Sequence, residues 1–178
     1  MAPDPVRLKQ VFDKVERLIE DRWGIPVIIN DVPNPFTGDL DGGEIFVDYD
    51  LEVEEALFIL VHLFGHTVQW NVSEEARKTA FMKPEHWTPE LMKQAADYEA
   101  EACRYCLQLL HDAGVHDLDQ WIADFAACDV AYLMHFYETG EKRPFREFWK
   151  DGSPILEAKA IPEFHPERWI SRSTGTVV

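Results

Sequence analysis

The stretch Leu60-Val61-His62-Leu63-Phe64-Gly65-His66-Thr67 decides the reading of this chain. Two histidines stand four residues apart inside an apolar run. At about 100° per residue, His66 lies about 40° around a helix from His62 and one turn along it. Both imidazoles therefore reach one metal ion. Two hydrogen-bonded core histidines are the plainer alternative. From Ala56 to Phe64 the helix is apolar on nearly every side, so it belongs inside the fold.

Working outward, this helix is expected over Asp50 to Asn71, with Asp50 as its cap and Glu52, Glu54 and Glu55 in its first turns. Before it stand two β-branched strands, Ile25 to Asn30 and Glu44 to Asp48. A loop or wide hairpin rich in Pro and Gly separates them. The chain opens with an amphipathic helix from Val6 to Arg22, capped by Asp4 with Pro5 at its first position. After the central helix come a short helix from Ser73 to Phe81 and a long one from Pro89 to Ala113 under a Thr88 cap. A third long helix is expected from Leu118 to Glu138. Phe145, Phe148 and Trp149 then fold back as a lid on the core, and residues 172–178 read as a frayed tail. The pattern predicts one α+β domain over residues 1–178, mainly helical, with a small sheet packed beside the histidine helix.

The 178 residues suffice for a real core, and their net charge of −16 argues against nucleic acid as a partner. No apolar run approaches the roughly 20 residues of a membrane span. The N-terminus lacks the basic and apolar regions of a signal peptide, and three sparse cysteines imply no disulfide framework. A cytoplasmic location is expected. Cys103 and Cys106 read as core cysteines on a helix.

A metal needs a third ligand. Glu101 lies mid-helix among Ala100, Ala102 and Leu109, where an unpaired carboxylate is expensive to bury unless a cation stands beside it. Asp97 lies one turn earlier on the same face. Glu99 is turned about 160° from Glu101 and is expected to point away. In zinc hydrolases the histidine pair normally reads His-Glu-x-x-His, with the Glu as general base; here that position is Leu63.

The order of elements and the matching stretches, His62-Leu-Phe-Gly65-His66 and Glu101-Ala-Cys-Arg-Tyr-Cys106, resemble the ImmA/IrrE family of small zinc metallopeptidases. That family reads His-Glu-x-Gly-His and then Glu-Ala-Asn-x-Phe-Ala. The resemblance covers roughly residues 5–112, leaving residues 115–178 as C-terminal helices and tail. It implies a zincin-like fold, zinc held by His62, His66 and Glu101, and cleavage of regulatory proteins such as repressors. Leu63 departs from it, because a Leu can neither take a proton from water nor pass one to a leaving amine.

Three functions follow as expectations. One is a metal-dependent enzyme with altered chemistry, with Fe(II) as the alternative to zinc because two histidines and a carboxylate also form a facial triad. Another is an inactive pseudo-peptidase that binds a protein or peptide. The last is a peptidase with a displaced base, for which Asp97, Tyr105 and His135 are the candidates. Gln69, on the ligand face one turn past His66, is expected to touch substrate. The substrate, whether protein, peptide or small molecule, is not readable from these residues.

Overall fold

The computed structural model describes residues 3–33 and 36–170; the tail expected to fray lies outside them. Its elements are α1 (Pro5–Trp23), β1 (Val27–Asn30), β2 (Gly38–Leu40), β3 (Ile45–Asp48), α2 (Val53–Val72), α3 (Glu74–Phe81), α4 (Pro89–Asp112) and α5 (Asp119–Thr139), then one 3-10 turn at Phe145–Phe148. The class is α+β, as the sequence patterning predicts.

The caps explain most of the boundaries. The Asp4 side chain accepts from the Val6 N–H, Ser73 from Ala76 and Thr88 from Leu91, so α1, α3 and α4 begin where the sequence places them. Asp50 does not cap α2. The Asp48 carboxylate takes the Asp50 N–H at 3.2 Å, the chain turns once more, and Glu52 stands at the cap position without a side-chain bond.

The sheet runs β1-β3-β2. β1 pairs parallel to β3 with Val27 opposite Ile45, and β2 pairs antiparallel to β3 with Gly38 opposite Val47. The segment expected to be only loop or hairpin therefore carries an edge strand. Three residues are too short for an alternating pattern to stand out. Every residue of β3 is buried, because it is the middle strand and α2 packs beneath it.

α2 is the axis of the molecule, buried without a break from Leu57 to Trp70. It packs against α1, α4 and the sheet. A Cβ on Gly65 would press into the Ala102 carbonyl, so Gly at this position lets α2 and α4 approach closely. On the sheet side, a Cβ on Gly38 would meet Leu63 Cδ1 and Ile59 Cγ2 at 2.7 Å. Leu63 is thus fully buried beneath β2.

The C-terminal aromatics fold back as expected. Phe145 and Trp149 pack on Phe125 at centroid distances of 5.9 and 5.1 Å, and Phe148 meets Tyr132 at 5.9 Å. Residues 153–169 then run as a strap without regular secondary structure. Lys159 N donates to the Arg104 carbonyl, Phe164 stacks on Trp23, and Trp169 N donates to the Asp41 carbonyl at 2.7 Å. Among the described residues, no helix is long and apolar enough to cross a membrane.

Candidate metal centre

His62 and His66 face α4 from α2, fully buried and 4% exposed respectively. Their Nε2 atoms approach to 2.9 Å. The carboxylate that meets them is Glu99: its Oε2 lies 3.1 Å from His66 Nε2 and 3.3 Å from His62 Nε2. Bonds of about 2.0–2.1 Å to one ion put its ligand atoms about 2.9 Å apart at right angles and about 3.3 Å apart in a tetrahedron. The three observed separations span that interval. These three buried residues form a group that could hold a metal ion.

The hydrogen bonds around His66 fix where its proton sits. Gln69 Nε2 donates to the Tyr98 carbonyl at 2.9 Å and to Glu101 Oε1 at 3.0 Å. Both partners are acceptors only, so the amide orientation is set. Gln69 Oε1 must then accept from His66 Nδ1–H, 2.9 Å away. In neutral His66 the lone pair is therefore on Nε2, aimed at Glu99 and His62. Tyr98 stacks on the His66 ring at 4.6 Å and holds its plane.

A further carboxylate, absent from the expected set, stands beside His62. Asp129 of α5 is 1% exposed, and its Oδ2 lies 3.8 Å from His62 Nε2 with no hydrogen-bond partner. Burial pushes the Asp129 carboxyl up to about 7, with Glu99 adding to the rise and His62 opposing it. Burial also pushes Glu99 upward, but the charge and hydrogen bonds of His66 and His62 outweigh it and hold its carboxyl far below the usual range. For His62 burial acts downward, and hydrogen bonds with Cys103 and Glu99 and the charge of Asp129 overcome it, so the imidazole is lifted well above its ordinary value. Two buried carboxylates and two imidazoles in contact need positive charge among them. Protons on the histidines or a cation can supply it, and the orphaned Asp129 oxygen and the outward lone pair of His66 fit a cation.

A second group shares His62. Cys103 Sγ lies 3.7 Å from His62 Nδ1, and His62, Cys103 and Cys106 could also hold an ion. The two groups open differently. A cavity of about 160 Å³ has His62, His66 and Glu99 in its wall, and neither cysteine lines it. Trp70, Trp87, Tyr98, Leu133 and Tyr137 make its apolar side, with Trp87 stacked on Tyr137 at 4.0 Å. Among the described residues, no Lys or Arg lines this cavity.

Glu101, expected as the third ligand, is not brought to the histidines. It is about a third exposed, paired with Lys159 through Oε2 and with Gln69 through Oε1. The difference is one of helix phase. Ala95, Glu99, Ala102, Cys103, Cys106 and Leu110 form the buried stripe of α4, and Glu101 stands on its flank. Glu99, four residues from both Ala95 and Cys103, was legible from that stripe. Asp129 had a similar signal, since it lies four residues from both Phe125 and Leu133 in the stripe of α5.

The candidate replacement bases lie elsewhere. Asp97 is exposed and paired with Lys93 on its own helix. Tyr105 is buried with the Lys159 ammonium 5.2 Å over its ring. His135 meets Thr139 and Phe148. None of them lines the cavity. Gln69, expected to touch substrate, is instead the fully buried partner of His66. No family model, curated protein or solved structure matches the chain in comparisons with each.

Proposed function

We propose that this chain is a metal-binding protein of zincin-like design, with a single ion held by His62, His66 and Glu99 and charge-balanced by Asp129. The convergence of three ligand atoms within 3.3 Å of one another, beside a buried carboxylate oxygen with no partner, carries the reading. Zinc is the ion proposed. Fe(II) is the alternative, because two imidazoles and one carboxylate are also the ligand set of non-haem iron sites.

A bound ion supplies Lewis acidity at the cavity wall. The chain's own residues do the rest. Gln69 holds His66, Tyr98 fixes the ring plane, and the aromatic wall bounds a space no larger than a side chain. About 150 Å³ is what a benzene-sized guest fills. The ligand is accordingly a compact, uncharged or aromatic group carrying a metal-binding head. Leu63 offers no proton carrier, so hydrolysis by the usual base route should run about 10²–10⁴-fold below a peptidase that has the Glu. The burial of Leu63 beneath Gly38 favours a second reading, a pseudo-peptidase that binds a protein or peptide side chain at the ion without cutting it.

Metal analysis of protein purified without an affinity tag or added metal tests the proposal. About one ion per chain is expected, and it should be lost in both His66→Ala and Glu99→Ala. Ion content unchanged in those two variants, or absent from wild type after incubation with zinc and with Fe(II), refutes it. If the loaded protein leaves peptides intact but retains small aromatic hydroxamates, the non-hydrolytic reading gains.

A further inference from the structure

The strap of residues 153–169 touches the centre through a continuous chain of side chains. Lys159 is held on α4 by its own N–H to the Arg104 carbonyl at 3.2 Å, while Arg104 Nε donates to the Glu157 carbonyl at 2.8 Å. The Lys159 ammonium pairs with Glu101 Oε2. The other oxygen of Glu101 accepts from Gln69 Nε2, and Gln69 Oε1 accepts from His66 Nδ1–H. Each link fixes the next. The cation orients the carboxylate, the carboxylate and the Tyr98 carbonyl together draw the NH2 end of the Gln69 amide toward them, and that leaves only an acceptor for the imidazole.

We propose that Lys159, Glu101 and Gln69 are positioning residues through which the C-terminal strap holds His66 in its Nδ1–H tautomer and so sets the ion affinity of the centre. The affinity part rests on the metal-binding reading above; the tautomer part does not. Outer partners of this kind orient a ligating imidazole and raise its donor strength, and their removal typically weakens metal binding about 10–100-fold. Here the partner is a neutral amide backed by a carboxylate, and the carboxylate is secured by a cation from a segment far away in sequence. With the strap undocked, Glu101 is released toward solvent, the Tyr98 carbonyl is left as the one acceptor orienting the Gln69 amide, and the hold on the His66 tautomer weakens.

Two measurements on the full chain test this. Nitrogen-15 NMR of the metal-free protein reads the His66 tautomer directly. At a pH high enough for His66 to be neutral, wild type should show Nδ1 protonated and Nε2 bare, and Gln69→Ala should show a mixture. Chelator competition with zinc reads affinity. Gln69→Ala should lose about 10–100-fold, and Lys159→Met should fall near the lower end of that range, with Lys159→Arg restoring wild-type behaviour. Lys159 lies at the surface, so Lys159→Met keeps the test open if Gln69→Ala fails to fold. An Nε2–H tautomer in wild type, or Lys159→Met and Gln69→Ala both within twofold of wild type, overturns the proposal. Wild type that takes up no ion refutes the metal reading and the affinity claim with it, while the tautomer spectrum still decides whether the relay exists.

Discussion

His62 presents two ring nitrogens to two different environments. On the Nδ1 side stand Cys103 and Cys106, both buried. The Cys106 thiol donates to the Val61 and Ala102 carbonyls at 3.1 Å. Its hydrogen bond and burial push the Cys103 thiol well up, while His62 opposes. These groups are satisfied as neutral thiols between packed helices. On the Nε2 side, ligand atoms face one another, a carboxylate oxygen has no partner, and a cavity adjoins. Both sides bring three possible ligands together. Only one leaves its polar atoms wanting a cation, and that marks the site better than proximity alone.

The largest expected effect that would break this contrast is on ion content. His66→Ala or Glu99→Ala should abolish stoichiometric binding, while Cys103→Ser and Cys106→Ser should keep it within a few-fold. The reverse pattern would move the centre to the thiol side. Next comes the helix contact that serves both sides. Gly65→Ala forces α2 and α4 apart at Ala102 and should destabilise the protein by about 1–3 kcal/mol. At about 2–4 °C per kcal/mol for a chain of this size, calorimetry should read a clear fall in Tm. An unchanged Tm would mean that the helices can part freely there.

Asp129→Asn should act with opposite signs in the two states. In chelated protein it removes a buried carboxyl whose Oδ2 makes no hydrogen bond and should stabilise by about 1–3 kcal/mol, the gain growing as pH rises toward about 7, where the burial-raised carboxyl ionises. In loaded protein it removes a charge that balances the ion and should weaken zinc binding by about tenfold. Equal signs would detach Asp129 from the centre. The smallest effect concerns thiol chemistry. The thiolate is the reactive form, and the three cysteines are buried. Native protein should therefore take up less than one equivalent of iodoacetamide at pH 8 and no more at pH 9, with or without chelator. Fast labelling of Cys103 would show that its side of His62 is open.

Local signals carried far in this sequence. Asp4, Ser73 and Thr88 mark helix starts because a short polar side chain next to a helix has few better partners than the free N–H groups. The histidine pair was legible because four residues on one helix keep their geometry wherever that helix goes. What depended on a second element was harder. Asp50 is not the cap because the chain turns once more after Asp48 takes the Asp50 N–H, and Glu52 stands at the cap position instead. β2 is defined by its partner β3 more than by its own three residues. The third ligand required the rotation of α4 about its axis. Helix α4 holds two Glu-Ala pairs, Glu99-Ala100 and Glu101-Ala102, and the family motif aligns with the second. The apolar stripe through Ala95, Ala102, Cys103 and Cys106 selects the first, and it outweighs the motif because burial, unlike a two-letter match, is what turns a helix toward its neighbour. Asp129 is a polar member of an otherwise apolar stripe in α5, so its burial does not show in hydrophobicity alone.

Lys159 also sets a temporal order for the centre. Its α2 and α4 residues are made first, and the ammonium that secures Glu101 follows that carboxylate by 58 residues. A nascent protein can bring the two helices together around Gly65 and still hold His66 in an unsettled tautomer. On the proposed relay, tight ion loading therefore follows docking of the strap rather than the meeting of the two helices.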